Sequence, residues 1–400
     1  MWTLELFSTV DGLRYGELPS AGFSWSRELR KGSLDAPPQG LGTERASGLE
    51  WSVASLEAAG WIDRTEHGWQ ERLVALLMPK KHGIMALWDG VPMAGGPIAD
   101  TVTFEADTVS LAVDDITTGI LGSRFVVAEN FSPKTQIKKS GVSLGGLAVE
   151  ALRESMRKPS GSLPLELPAT ESGDESEAWK GYAVANLDVA GLLEDYADRG
   201  PDIDFRPKVL DDSHFVWEVV HGTSRELYLG QSTVHDWEQG SPDVVSVTAK
   251  LSTEYVAHRV YAVGGGQDVA TPIVRRDLEV PQDWPLIEAT VSDSKITAAT
   301  SGKDANAAAV AKQKADAQRK LEQLADAHLS PYPMLQVEMT VRADGSNQLG
   351  TFWPGEVAHV TLHDLPCLSA GTYDLRILSI SGSDGQDVKL VFDAIQPERY

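Results

Sequence analysis

The sequence predicts a mainly β protein, α+β overall, and three observations carry that expectation. Residues 83–98 read as a strand, a tight turn and a returning strand: Ile84, Ala86 and Trp88 alternate with Met85 and Leu87, then Asp89-Gly90. A two-residue type I′ turn needs positive φ at both central positions, which Asp-Gly supplies. Val102, Phe104 and Ala106 alternate with Thr101, Thr103 and Glu105, and Val109, Leu111 and Val113 alternate with Ser110 and Ala112. That period of two marks an antiparallel pair with one buried face. Between residues 127 and 240 the period changes to that of helices, so a mixed insert separates two β-rich ends.

In order, residues 1–126 read mainly as strands. Leu4 and Leu6 lead to a turn at Thr9-Val10-Asp11-Gly12, and Gly22 to Ser26 alternates again. Residues 31–47, rich in Gly, Pro and Ser, read as a loop. Leu56–Trp61 and Gln70–Leu77 read as short helical segments. Apolar side chains on both faces of 83–98 place that hairpin where a sheet meets a second layer or another subunit. Met85 and Trp88, on opposite faces, are candidate contact residues, one filling the barrel core and the other at an interdomain or intersubunit contact. Asp114-Asp115 reads as the cap of a short helix, Ile116–Arg124.

In the insert, Leu144, Leu147, Ala148, Ala151, Leu152 and Met156 have helical spacing. Residues 159–178 are acidic and rich in Pro, Gly and Ser, and read as an exposed, mobile loop. Val189, Leu192, Leu193 and Tyr196 give a second helix, capped by Asp188 and stopped by Gly200-Pro201. Strands at Ile203–Val209 and Phe215–His221 flank Asp211-Asp212-Ser213. Residues 241–400 return to strands: 244–249, 255–263, 271–280, 334–341, 357–363, 373–380 and 388–394. Short strands with glycine turns read as a sandwich or barrel. Residues 303–329 read as a long Ala-rich helix with a thin apolar stripe.

The bulk composition excludes several classes. A net charge of −23 over 400 residues argues against a phosphate-backbone binder, which needs a basic stripe. One cysteine, Cys367, excludes an internal disulfide framework and a cysteine-based zinc site. The opening Met1-Trp2-Thr3-Leu4-Glu5 lacks the basic lead of a signal peptide. No apolar run approaches the ~20 residues of a membrane span. A soluble protein without an evident targeting signal is expected.

Chemical motifs are weak. Gly141-Val142-Ser143-Leu144-Gly145 matches the nucleophile-elbow pattern, but the polar run 134–139 before it is no central strand, so Ser143 reads as a helix start. His359 and His363 have a helical metal-ligand spacing on a segment that reads as a strand. The pairs Asp114-Asp115, Asp202 with Asp204, and Asp211-Asp212 read as turns and caps. Eleven tryptophans, spread from Trp2 to Trp353, suit core and contact surfaces better than a sugar cleft. No catalytic, cofactor or metal residue is assigned, and Trp353 joins Met85 and Trp88 as an interface candidate.

Four stretches carry a family resemblance. The first is Phe7 to Pro19 with Phe23-Ser24-Trp25-Ser26-Arg27. The second is Leu87-Trp88-Asp89-Gly90-Val91-Pro92 with Gly95-Gly96-Pro97-Ile98, followed by paired strands and a helix ending near Arg124. The third is Asp202-Ile203-Asp204-Phe205-Arg206-Pro207 leading to Glu226-Leu227-Tyr228-Leu229-Gly230. The fourth is Leu349-Gly350 to Pro354-Gly355-Glu356-Val357-Ala358. In this order they resemble the minor tail proteins that form the tail hub of long-tailed (siphovirus) phages of actinobacteria.

The resemblance implies a non-enzymatic structural protein of the virion tail tip, made in the host bacterial cytoplasm. It implies two tail-tube-like β-barrel domains, at 1–126 and 241–400, around the α+β insert 127–240. It further implies a homo-oligomer, a trimer making a six-barrel ring. The ring would contact a distal tail protein and other minor tail proteins, hold the tape-measure end and pass DNA at ejection without binding it specifically. A tail-associated hydrolase, or a carbohydrate- or receptor-binding tail module, is the alternative.

Overall fold

The computed structural model describes residues 1–29, 41–297, 307–363 and 365–395. It is mainly β. The chain forms two compact units, one of Met1–Thr248 with Val337–Asp393, the other of Ala249–Gln336 with the residues from Ala394 on. The division into 1–126, 127–240 and 241–400 does not coincide with these units.

The first unit opens with β1 (Trp2–Ser8), β2 (Arg14–Leu18), β3 (Ser24–Leu29) and β4 (Gly42–Ser52). Of the expected loop 31–47, residues 31–40 lie outside the described residues. The rest is strand, because Glu44 and Ala46 on one face of β4 are buried. Two short helices follow, α1 (Val53–Ala58) and α2 (Trp69–Leu76), then β5 (His82–Trp88), β6 (Val91–Phe104) and β7 (Thr108–Val113). Asp89 (φ 48°) and Gly90 (φ 83°) make the turn, with Trp88 opposite Val91. β6 is long enough to pair with β5 at one end and β7 at the other, and register shifts on both sides bend it between them.

Asp115 caps α3 (Ile116–Gly119), accepting from the Thr118 N–H. The α+β segment contains β8 (Gln136–Val142), α4 (Leu144–Met156), β9 (Leu165–Glu166), β10 (Glu175–Lys180), α5 (Val189–Asp198), β11 (Ile203–Asp211) and β12 (His214–His221). Residues 159–178 are not a free loop: β9 pairs with β12, β10 pairs with β8, and Leu163 is buried. Those pairings come from strands distant in sequence, which composition does not register.

Next come β13 (Val234–Glu238) and β14 (Val244–Ser252), then the second unit with β15 (Arg259–Gly265), β16 (Ile273–Asp277), β17 (Glu288–Thr297) and α6 (Ala307–Ala327). Residues 303–306 of the expected helix lie outside the described residues. Ala317, Leu321 and Ala325 form its buried stripe, four residues apart. Leu321 and Ala325 pack on Val260 and Ala262 of β15, and Arg276 holds Asp326 at 2.7 Å. The chain closes with β18 (Met334–Arg342), β19 (Val357–Leu362), β20 (Gly371–Ser383) and β21 (Asp387–Ile395).

Thirteen strands form one sheet, in the order β14-β18-β21-β20-β3-β4-β7-β6-β5-β1-β2, with β13 and β19 added beside β20. Among the described residues the pairing does not close into a barrel. The β3–β20 ladder, Arg27 opposite Ile380 and Trp25 opposite Gly382, sews the two ends of the chain together. The expected separate N- and C-terminal β-domains therefore share one sheet.

The hairpin lies between two apolar layers. Met85 and Leu87 pack with Leu147, Leu152, Leu193, Phe215 and Trp217 of the α+β segment. On the opposite face, Trp88 packs at 5.3 Å from Trp2, which also lies 5.3 Å from Trp25. Met85 is fully buried and Trp88 only 6% exposed, so within this chain Met85 meets the 127–240 segment and Trp88 meets Trp2. Each large apolar side chain buried this way contributes about 1.5–3 kcal/mol.

Candidate functional site: a buried charge junction

Two arginines gather three of the four stretches singled out in the sequence, the first, third and fourth. Arg27 stands on β3 with alternate residues buried, and its side chain points inward with 1% exposure. Its Nη1 donates to Glu44 Oε2 at 2.8 Å. Its Nη2 donates to Asp204 Oδ1 at 3.1 Å and to the Phe205 carbonyl at 2.7 Å. The second Glu44 oxygen accepts from Trp217 Nε1 at 2.7 Å, and Arg206 Nε donates to Asp204 at 3.2 Å. The Arg27 guanidinium lies over the Trp353 ring, 4.9 Å from its centre. A planar fork can serve two carboxylates and stack on an aromatic face at once.

The second node is Arg376 on β20. It donates to Asp202 through Nη2 and to the Gly355 carbonyl at 3.1 Å through Nε, and lies 5.1 Å from the centre of the Tyr228 ring. Fully buried Asp202 also accepts from the Leu229 N–H at 2.8 Å. Glu356 accepts from His235 Nε2 at 2.8 Å and from the Trp353 N–H at 3.0 Å. Gly230, at φ 74°, lies so close to Glu356 that a Cβ there would come within 2.7 Å of its Cγ. Asp202 thus faces the half-buried Arg376 and Asp204 the buried Arg27, a correction to their reading as turn or cap residues. Asp115 does cap a helix, and Asp211 does hold a turn through the Ser213 N–H.

Burial pushes the Glu44 carboxyl up to about 8, because Arg27 and Trp217 offset only part of the lost hydration and neighbouring carboxylates add to the rise. Burial acts on Asp204 in the same sense, but Arg27 and Arg206 overcome it and hold that carboxyl below the usual range. Asp393, which accepts from the Arg376 N–H at 2.8 Å, is pushed up by burial.

The other candidates do not assemble into chemistry. Ser143 caps α4, its Oγ accepting from the Gly146 N–H at 2.9 Å, with an ordinary extended backbone (φ −79°, ψ 173°). The strand before it, β8, belongs to a two-stranded antiparallel sheet. His359 and His363 lie on the outer face of β19, His359 between Asp236 (3.2 Å) and Asp374 (3.3 Å), His363 at 2.8 Å from Glu238. Among the described residues no three His, Cys, Asp or Glu side chains converge as metal ligands. None of the described helices is long and apolar enough to cross a membrane. A cavity of about 430 Å³ lies between β3, β4, α3 and α5.

No family model matches the chain, and no curated protein matches it. Several solved structures are similar. The 43 kDa tail protein of prophage MuSo2 from Shewanella oneidensis is 12% identical, with a TM-score of 0.48, over 99% of this chain and 98% of that one. A tail protein from Neisseria meningitidis MC58 is 12% identical, with a TM-score of 0.46, over 99% and 97%. Prophage tail protein gp18 from Listeria monocytogenes EGD-e is 10% identical, with a TM-score of 0.41, over 97% and 94%.

Proposed function

We propose that this chain is a structural hub protein of a phage tail tip, of the kind found in long-tailed phages of actinobacteria. What supports the reading is the meeting of three of the four resembling stretches. Arg27 from the first, Asp202 and Asp204 from the third, and Trp353 to Glu356 from the fourth share one buried junction, and the hairpin of the second lies in the same unit. Three short motifs that matched independently of one another would have no reason to meet.

In this reading each subunit contributes two tube-like β regions, built mainly from 1–126 and 241–400, as open parts of the one sheet that the β3–β20 ladder joins. Three subunits make a ring at the tail tip that matches a sixfold tube, contacts a distal tail protein and other minor tail proteins, and holds the tape-measure end. DNA passes through at ejection without specific contacts. The charge of −23 suits such a conduit, since carboxylates repel phosphates rather than trap them. Of the three candidate contact residues only Trp353 keeps partial exposure for a neighbour. The hydrolase alternative loses its main support, because the Ser143 hydroxyl serves a helix cap. The sugar-binding alternative needs clustered exposed tryptophans, whereas Trp25 and Trp88 are buried.

Cryo-EM of the virion tests this. A threefold ring of this chain closing the tail tube is expected. Its absence from the tail tip would overturn the assignment, and a basic or apolar lumen would overturn the electrostatic part alone.

A further inference from the structure

We infer that the outer face and open edge of the β8–β10 ladder bind an extended, acidic segment of another protein, added as a third strand. The inference does not depend on the tail-hub reading.

The buried face fixes which side chains look outward. Trp179 stands opposite Ile137 across the ladder, and both pack in the apolar layer with Leu147 and Tyr196. By the period of two, Lys138 and Lys180 stand on the other face and are exposed, as Lys134 is in the turn before β8. Lys139, on the inner face, is held by Glu150 and by Glu154 at 2.8 Å. Lys134, Lys138 and Lys180 have no carboxylate within ion-pair distance among the described residues. In a chain with 58 acidic and 35 basic side chains, they make a local excess of positive charge at one end of a small sheet.

Two further observations are independent of charge. Phe131 is 51% exposed and Tyr182 70%, the two most exposed aromatic side chains among the described residues. The chain brings them to that same end. The Gly181 N–H donates to the Thr135 carbonyl at 2.8 Å, and a Cβ on Gly181 would come within 2.2 Å of the Ser132 carbonyl oxygen. The Lys180 ammonium lies 5.8 Å from the centre of the Tyr182 ring. Moreover, β10 is the only strand partner of β8 among the described residues, so the N–H and C=O groups on the other edge of β8 have no ladder.

That edge suits a peptide backbone, which a nucleic-acid strand does not match, and a charge of −23 repels a polyphosphate. Lysine on an open edge also keeps like strands apart. That task does not call for two exposed rings beside it. A strand added along β8 would set carboxylates against Lys134 and Lys138 and an apolar side chain against Phe131 or Tyr182.

Fluorescence anisotropy on the intact protein tests this with four labelled probes. They are a capped peptide of alternating Glu and Val, its Gln-for-Glu counterpart, the acidic peptide N-methylated throughout, and a thymidylate oligonucleotide. The acidic peptide should bind saturably and more weakly as salt is added, and the other three should not bind. Lys138→Gln should weaken binding about two- to five-fold, the worth of one exposed ion pair. Tyr182→Ala should weaken it by a similar factor, whereas Lys320→Gln on α6 should leave it unchanged. All three side chains are exposed, so the variants should keep the wild-type thermal midpoint, and lost binding then does not mean lost fold. No saturable binding of the acidic peptide up to about 1 mM overturns the site. So does equal binding of the Gln or N-methylated peptide, an equal effect of Lys138→Gln and Lys320→Gln, or tighter binding of the oligonucleotide.

Discussion

Glu44 and Asp204 accept hydrogen bonds from the same Arg27 guanidinium, yet their carboxyls are displaced in opposite directions. The difference lies in their second partners. Asp204 has Arg206 as well, at 3.2 Å, whereas Glu44 has the neutral Trp217 indole. One buried guanidinium plus one half-buried neighbour neutralises one carboxylate fully and leaves the other holding its proton near neutrality. The junction therefore stores a titratable group inside the layer that joins β3 and β4 to β11 and β12.

That asymmetry predicts the pH dependence of stability. The folded-state Glu44 carboxyl is raised from 4.5 to about 8. Folding then binds its proton more tightly than the unfolded chain does, so its contribution is fully present below about pH 4.5 and is lost as pH rises to about 8. The loss is on the order of a few kcal/mol. Asp204 works the other way: its carboxyl lies below 3.8, so its contribution fades only as pH falls through the acid range. Urea denaturation of the wild type should show stability declining from about pH 5 to pH 8. Glu44→Gln, which keeps an acceptor for Trp217 and Arg27, should flatten that decline. An equal slope in the variant would show that Glu44 does not carry it.

Removing the arginine should be worse than removing its neighbours' charge. Arg27→Leu leaves Asp204 and Glu44 buried without their shared donor, and such uncompensated charge costs about 3–5 kcal/mol. Arg27→Lys should recover only part of this, because an ammonium cannot bridge both carboxylates and stack on Trp353 as the planar fork does. Chemical denaturation of both variants at one pH checks the order: wild type above Lys, Lys above Leu.

How much of this was legible in the sequence follows the distance between partners. Asp89-Gly90, the alternation of Val109, Leu111 and Val113, and the caps Ser143, Asp115 and Asp188 are local, and each stands where the pattern put it, whereas Phe104, expected on the buried face of the partner strand, is 45% exposed because β6 has bent away from its β5 end there. Trp25 meets Gly382 and Arg27 meets Asp204 only because strands far apart in the chain pair and pack. No local period announces that, so Asp202 and Asp204 looked like two more acids in an acidic chain. β4 was missed for a related reason. Gly42 and Ser47 read as loop residues, while the ladder with β3 and the burial of Glu44 make them strand. Strands β13 and β17 were missed likewise, since their partners β19 and β15 lie outside any local window.

Ser143 allows a clean separation of cap from nucleophile. Its hydroxyl satisfies the Gly146 N–H at the start of α4, so Ser143→Ala should cost about 1 kcal/mol of stability. Ser143→Asp should recover much of that loss, because aspartate caps helices well and favours the positive end of the helix dipole. A nucleophile would tolerate neither change. Thermal denaturation, alongside the infectivity readout that the tail-hub proposal supplies, distinguishes the two roles: function that survives both changes belongs to a cap.

The hairpin offers a test in which two glycines in one element differ in kind. Gly90 sits at φ 83° with open space where a Cβ would go, so Gly90→Ala meets only the backbone cost of a left-handed residue, about 1–2 kcal/mol. Gly83, six residues before the turn, needs no special φ, yet a Cβ there would lie 2.2 Å from the Phe7 ring and 2.4 Å from the Gly96 carbonyl. Phe7 is fully buried and packs at 5.7 Å from Phe215, so the ring has nowhere to move without disturbing the layer on which Met85 rests. Gly83→Ala should therefore cost more than Gly90→Ala, at least about 3 kcal/mol, the upper range of overpacking in a dense core. Hydrogen exchange should locate the damage as well. The Gly83 variant should lose protection in β1, β5 and the α4–α5 layer together, whereas the Gly90 variant should fray only the end of the hairpin around Trp88 and Val91. Equal costs for the two substitutions would mean that the hairpin is not clamped between two packed layers.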